Sequence, residues 1–288
     1  VLLFLDSDVL IDESSKSFLH KIAEEIADAD IVEMKKKVLR DSFVARLASY
    51  DYLSFSFTSW FFSRRLGKCL GINGAAFAIR REAFERLGGF RRVVVEDLDI
   101  ATRAFIEGLR YKFVEDISVS TKAPSSWSKW FEQRKRWGIG GALWFKEYFD
   151  NLIKIVKDHP GVLLPCILFI FPSLPFFLFT LFMPDDLYIK ALYLSMIVLS
   201  TQTSLLLPPI AFTSTSLAFM RNLFLMVGSI GAYTTIFYVI ARKLGFIFNP
   251  VEFMLFYIVY SPLWLLIIIV SLVKVYVGIR KLDVSWKI

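Results

Sequence analysis

Cysteine and histidine are nearly missing: there are two of each in 288 residues. Cys69 and Cys166 stand far apart without metal-ligand spacing, and Cys166 lies in an apolar stretch. This excludes a disulfide framework and leaves both as reduced packing residues. His20 and His159 have no partner at ligand spacing, so neither is expected to bind a metal. Carboxylates are few between residues 161 and 279, where the chain is almost wholly apolar. An ordinary soluble domain is excluded by composition: 56% hydrophobic, 16% aromatic, mean hydropathy +0.54.

Two parts remain. Residues 1–158 carry most of the charge and read as a water-facing unit, whereas 161–279 read as a membrane domain. The net charge is +7. Nucleic-acid binding is one meaning of a basic chain. Collection of Lys and Arg at the cytoplasmic face of a membrane, near anionic headgroups, is the plainer one. The expected partners therefore include membrane lipids and no nucleic acid.

Val1–Leu5 is a short continuous apolar run ending in Asp6-Ser7-Asp8. Such a run predicts a central parallel strand buried on both faces, with the acids beyond its carboxyl end, where open α/β sheets bind ligands. The chain opens inside this run with no signal peptide before it, so a segment upstream is expected. Residues 14–29 predict an amphipathic helix capped by Ser14 or Ser15, and Ile31–Met34 a short strand. The aromatic stretch 42–66 has a partial helical period, read equally as a buried helix or as one framing a groove or membrane surface. Gly71–Ile79 is a turn into a strand of small residues, Arg80–Leu87 a short helix ended by Gly88-Gly89, and Tyr111–Val114 a strand. Basic and aromatic residues interleave from Ser126 to Val156, as in a helix lying in a membrane interface.

A bilayer core needs roughly 20 apolar residues in a helix. Residues 162–182, 187–207, 223–241 and 251–277 are therefore expected to span, with 208–222 and its Pro208-Pro209 an extension or a re-entrant piece. Four spans put Asp185-Asp186 outside and Lys274, Arg280, Lys281 and Lys287 inside, as the positive-inside rule prefers. They also put Arg242 and Lys243 outside, against that rule. Arg221 lies near membrane depth, where charge is costly and often lines a path.

Three groups carry chemistry. Asp6 and Asp8, at i and i+2 on an extended segment, point the same way and can hold a hard divalent cation; they also suit a solvated loop. Glu96-Asp97-Leu98-Asp99 offers a base for a sugar hydroxyl, or plain acids at a helix N-terminus. Gln133-Arg134-Lys135-Arg136-Trp137 offers an amide, a guanidinium and an aromatic face, or simply a basic interfacial helix.

Their order is more specific than any one of them. Asp-x-Asp after an apolar strand, a Gly-rich strand with Arg-Arg-Glu-Ala-Phe and Leu-Gly-Gly-Phe, Glu-Asp-x-Asp-x-x-x-Arg, Gln-x-x-Arg-Trp, and then apolar spans resembles the processive family-2 glycosyltransferases. The cellulose, chitin, hyaluronan and poly-N-acetylglucosamine synthases form that group. The resemblance implies an α/β GT-A-type, Rossmann-like domain, partial here, followed by an interfacial helix and a multi-span α-helical membrane domain. Its parts are residues 1–125 as the second half of the catalytic domain, 126–158 as amphipathic interfacial helices, and 159–288 as about four membrane helices. It implies that Asp8 with Asp6 binds Mg²⁺ or Mn²⁺ and the nucleotide diphosphate, and that Asp97 is the general base. Gln133 and Arg136 would hold the diphosphate, Trp137 would stack on the acceptor sugar, and Gly71, Gly74 and Glu96 would line the acceptor side. The donor would be a nucleotide-sugar, a UDP-sugar foremost. The acceptor would be a growing polysaccharide on the cytoplasmic face of the plasma membrane. Single transfer to a lipid, and a non-catalytic transport or scaffold subunit, are the alternatives. The base-binding strands of the family have no counterpart here, so weak donor binding by this chain alone is expected.

Overall fold

The structure, a computed structural model, describes residues 1–11, 15–162, 166–182, 185–203 and 214–278. Five strands form one mixed sheet: β1 (Leu2–Leu5), β2 (Leu10–Ile11), β3 (Ile31–Val38), β4 (Ala76–Ile79) and β5 (Tyr111–Thr121), in the order β1-β4-β3-β5-β2. Only the β3–β5 pair is parallel. β1 is therefore not the buried parallel strand its apolar run predicts. It pairs with β4 alone, antiparallel, at the sheet edge, and its residues are half-buried to exposed. A short apolar run carries no information about strand direction, and that is why the expectation failed.

α1 (Ser15–Glu25) covers one face of the sheet, sending Phe18 and Ile22, with Ile26 just after it, against Val32, Met34 and Val114. Ser14 lies outside the described residues. The other face carries Ile31, Phe77, Ile79 and Phe113 under Phe62, Ile100 and Phe105. Phe62 comes from α2 (Phe43–Leu66), the other two from α4 (Glu96–Ile106); α3 (Arg81–Arg86) lies between. α2 is the buried-helix outcome for the aromatic stretch. Ser42 Oγ caps it by accepting from Ala45 N–H at 3.1 Å, and Gly67 ends it at φ 60°.

β3 is longer than predicted. Its register against β5 shifts between Met34 and Lys35, where β5 carries the extra residues 115–117. Within β3, Lys36 Nζ lies 2.6 Å from Glu33 Oε1.

α5 (Trp127–Asp158) is a single 32-residue helix that works on two faces. One face meets α9 (Pro250–Val277), which carries a π-helical turn at Phe256–Tyr260. The two approach closely at Gly138, where a Cβ would stand 2.6 Å from Ser271 Oγ. The other face meets the loop before α4 and α4 itself. A Cβ on Gly140 would stand 2.7 Å from Val95 Cγ1, Trp144 Nε1 donates to Thr102 Oγ1 at 2.9 Å, and Tyr148 OH donates to Asp99 Oδ1 at 2.8 Å.

A buried charge pair joins three helices. Arg134 of α5, 1% exposed, meets Asp51 of α2 at 2.6 Å. Tyr260 of α9 donates to Asp51 Oδ2 at 2.6 Å and accepts from Arg134 Nη2 at 2.8 Å. The guanidinium also lies over the rings of Trp137 and Trp264, at 4.5 and 4.9 Å. The start of α9 is fixed separately: Glu252 pairs with Arg40 and Arg46, and Tyr50 OH donates to Asn249 O at 3.0 Å.

The remaining helices are α6 (Leu174–Phe182), α7 (Asp185–Thr203) and α8 (Ser214–Leu244). Among the described residues, two helices are long and apolar enough to cross a membrane, Thr215–Leu244 and Pro250–Val277. Of the predicted span 162–182, residues 163–165 lie outside the described set, and the described part is broken into a π-helical turn at Cys166–Ile170 and the nine-residue α6. Pro172 lies at the break, as expected for a residue that cannot donate to a helix. The predicted span 187–207 runs past Thr203 into residues outside the described set, and residues 208–213 with Arg280, Lys281 and Lys287 also lie outside it. Lys243 is not on the far side from the catalytic unit: its Nζ sits 3.7 Å from the centre of the Trp60 ring of α2. Arg221 bonds its neighbour Asn222 at 3.0–3.1 Å.

Two outcomes are expected. Asp51→Ala leaves Arg134 buried without its counter-charge and should cost about 3–5 kcal/mol, read as a fall in unfolding temperature in detergent. Gly140→Ala should cost about 1–3 kcal/mol through overpacking against Val94 and Val95. In the same melt, an unchanged Gly140→Ala protein would show that α5 does not approach this loop.

Candidate active site

β1 delivers Asp6 and α4 delivers Asp97, and the loop from Gly71 to Ala75 ties them together. Asp6 N–H donates to Ala75 O at 2.9 Å, extending the β1–β4 ladder by one residue. Gly74 N–H donates to Asp97 Oδ2 at 2.9 Å, and Leu98 N–H to Asp97 Oδ1 at 2.7 Å. A side chain at Gly74 would meet Asp97 at 3.1 Å, so the absence of Cβ is what lets the loop lie on the carboxylate. At Gly71 a Cβ would meet Leu98 Cδ1 at 3.0 Å.

Asp97 is an unusual acid. Burial pushes its pKa up to about 6, and the Glu96 charge adds to this; the Gly74 and Leu98 N–H groups and Lys36 act the other way. Asp99, two residues on, is structural. It is fully buried and holds Arg103 at 2.7 Å, Arg91 at 3.0 Å and the Tyr148 hydroxyl. The motif therefore divides its labour: Asp97 faces the loop, Asp99 locks α4 to α5, and Glu96 stays exposed.

Asp6 and Asp8 do not lie on an extended segment. They flank a turn closed by Val9 N–H donating to Asp6 O at 3.1 Å. They remain close: burial first and then the Asp8 charge raise the Asp6 pKa, with Lys36 opposing. Among the described residues neither acid has an ion-pair partner, and no cluster of three or more His, Cys, Asp or Glu side chains is placed to hold a metal. Two mutually repelling hard oxygen donors suit a divalent cation whose remaining ligands are phosphate oxygens or water. His20 bonds Glu24 at 3.1 Å on the surface, and His159 packs edge-on to Phe105.

On α5, Gln133 is half-buried and Arg136 exposed, and neither has a polar partner among the described residues. Arg134, between them, points the other way into the helical joint. Trp137 is half-buried with Arg134 over its ring, so only part of its surface is free for a sugar. The motif thus holds one structural arginine and one open one.

Three residues near the acids escaped the sequence reading. Glu33 and Lys36 are both 2% exposed beneath the 73–75 loop. Tyr52 of α2 lies among Arg134, Asp51, Asp6 and Asp8, and burial pushes its pKa up to about 12. The available signal was a glutamate and a run of three lysines within a strand, where the usual meaning is a solvated face.

A family model described as Glycosyl transferase family group 2 matches residues 1–277. Over 85 residues the chain is 36% identical to a probable glucomannan 4-beta-mannosyltransferase 14 of Arabidopsis thaliana, covering 29% of this chain and 16% of that protein. A glucomannan 4-beta-mannosyltransferase 1 of Cyamopsis tetragonoloba is 37% identical over 84 residues, 29% of this chain and 16% of that one. The matched stretch thus spans about a sixth of each of these relatives. Among solved structures, the mannosyltransferase PcManGT from Pyrobaculum calidifontis in complex with GDP-Man and Mn²⁺ is 18% identical, covering 79% of this chain and 60% of that chain at a TM-score of 0.37. With nearly its whole length matched by the family model, the chain belongs to glycosyl transferase family group 2.

Proposed function

We propose that this chain carries the catalytic and acceptor-binding part of an inverting glycosyltransferase. It moves a hexosyl unit from a nucleotide-sugar to a growing polysaccharide at the cytoplasmic face of a membrane. The observation that carries this is Asp97: a sheltered carboxylate, titrating near neutrality and held by a glycine loop that also fixes the acid-bearing turn. The similarity to proteins named glucomannan 4-beta-mannosyltransferases favours a mannosyl unit and a polymeric acceptor. Nothing in the geometry favours a UDP-sugar in particular.

Asp97 takes the proton from the acceptor hydroxyl. The freed oxygen attacks the anomeric carbon, the bond from that carbon to the diphosphate oxygen breaks, and the nucleotide diphosphate leaves. Each Asp97 oxygen retains an acceptor site beyond the N–H it already binds. Asp6 and Asp8 would hold Mg²⁺ or Mn²⁺, which when bound neutralises charge on the departing diphosphate. Gln133 and Arg136 contribute from α5, where the unpaired guanidinium adds a charge-assisted contact. The free part of Trp137 and the Gly71–Gly74 loop receive the acceptor sugar. Membrane attachment rests on α8, whose Phe219, Leu223, Phe224 and Val227 are exposed and whose Arg242 and Lys243 end on the catalytic side, as cytoplasmic basic residues do.

Membranes bearing the full-length protein, given labelled nucleotide-sugars and Mn²⁺, should release nucleotide diphosphate and build a high-molecular-weight product; an organic-soluble product would move the assignment to a lipid acceptor. Asp97→Asn should lower kcat by about 10²–10⁴, and a fully active variant would remove the base from this position. Because Asp97 accepts a proton only when ionised, activity should fall as pH drops through about 6. Chelation should abolish turnover and added Mn²⁺ restore it; turnover surviving EDTA would rule out the role of Asp6 and Asp8.

A further inference from the structure

Glu33 and Lys36 form an ion pair with almost no access to water, at 2.6 Å, in the sheet beneath the active-site loop. Burying two charges costs several kcal/mol per ion unless geometry and further hydrogen bonds offset it. Here the further bonds are specific. Glu33 Oε1 also accepts from Asn73 N–H at 3.2 Å, and Glu33 Oε2 accepts from Ser59 Oγ at 3.2 Å and from the Tyr111 hydroxyl. Asn73 Oδ1 in turn accepts from Ala75 N–H at 3.1 Å. The next two links are those already described: Gly74 N–H to Asp97, and Ala75 O from Asp6 N–H. A continuous path of hydrogen bonds therefore runs from the buried pair, through three consecutive loop residues, to the two ends of the reaction site.

We propose that Glu33 and Lys36 are positioning residues for the transfer reaction: the carboxylate anchors the 73–75 loop that aims Asp97 and fixes Asp6, and the ammonium supplies a positive charge near both acids. This rests on the glycosyltransferase assignment and on Asp97 as its base. An apolar pair of the same volume often fills a core at no greater cost, so a buried ion pair here calls for a reason other than packing. The charged groups facing Asp97 are Glu96 from its own helix and Lys36 from β3, while the 71–75 loop brings backbone N–H groups and no charge. Lys36 itself faces Glu33, Asp97 and Cys69.

The test uses the full-length protein in membranes and a paired variant, Glu33→Gln with Lys36→Met, which leaves no lone buried charge. A glutamine keeps an acceptor for Asn73 N–H. Folding, read by thermal unfolding, should survive. The acid limb of kcat should move to higher pH, because Asp97 loses its favourable neighbour, and kcat at its plateau should fall about 10–100-fold, the size of a small misplacement of reacting groups, with the donor KM unchanged. Lys36→Arg should restore the position of the acid limb if it folds. Glu33→Ala with Lys36→Met removes the loop anchor as well and should lose further kcat without moving the limb again. A paired variant with the wild-type kcat and acid limb overturns the proposal. Asp97→Asn, assayed alongside, separates the two failures: if it is inactive while the paired variant is normal, only the positioning role falls; if it is active, the base assignment falls first.

Discussion

A guanidinium and a carboxylate shut away from water hold this molecule to one geometry. Arg134 and Asp51 sit on different helices, and Tyr260 on a third closes the contact. A buried pair of this kind tolerates little sliding, because any separation exposes a charge to an apolar interior. α2, α5 and α9 are therefore fixed to one another at a single height. α2 also runs into the sheet domain, where Phe62 enters the core under Ile31 and Phe77. The apolar helices and the acid-bearing sheet are parts of one rigid arrangement as a result.

From that joint, α5 extends toward the chemistry. Its glycines are placed where two neighbours come too near for a side chain, Ser271 on one side and Val95 on the other. The Val95 contact matters most, since this residue is the N-cap of α4 and the next two are Glu96 and Asp97. Asp99 then seals the start of α4 through Arg91, Arg103 and Tyr148. Asp97 is left to turn to the glycine loop, with Lys36 behind it, which is how a carboxylate flanked by charged residues becomes desolvated.

The chemistry-bearing residues were legible because they are punctuated. Asp6, Asp97 and Gln133–Trp137 stand at the ends or starts of clear apolar or helical patterns, and their order is distinctive even where each alone is ordinary. The helical nature of 42–66 was legible only in part, from an incomplete period; its Ser42 cap and Gly67 stop are seen in the structure. Strand pairing was not: β1 and β4 are both apolar, and nothing in four residues marks an antiparallel edge. The Glu33–Lys36 pair was illegible for a sharper reason. Alternation places residues 33 and 36 on opposite faces, and Lys36 stands among three consecutive lysines, so only their 2.6 Å contact in the fold reveals the pair. Arg134 and Arg136 look alike in sequence, and only the helical phase against α2 and α9 separates the buried one from the open one. Hydropathy located the long apolar helices around 223–241 and 251–277, but it counts apolar length and cannot see a break such as that before α6.

α9 shows what that omission means. Its residues Tyr260, Trp264 and Ser271 meet Trp130, Arg134 and Gly138 in the same order along α5, and Lys146 reaches the Tyr276 ring. The two helices thus run side by side in the same direction, while its first turn is tied to Arg40 and Tyr50. A 28-residue helix is about 42 Å long, enough to cross a bilayer. Yet it inherits its tilt from α5, and α5 is bound to the sheet domain through Gly140, Trp144, Tyr148 and Ile155. The tilt of α9 is consequently a property of the pair: it cannot turn without carrying α5, and the Asp97 carboxylate that α5 helps to hold, with it.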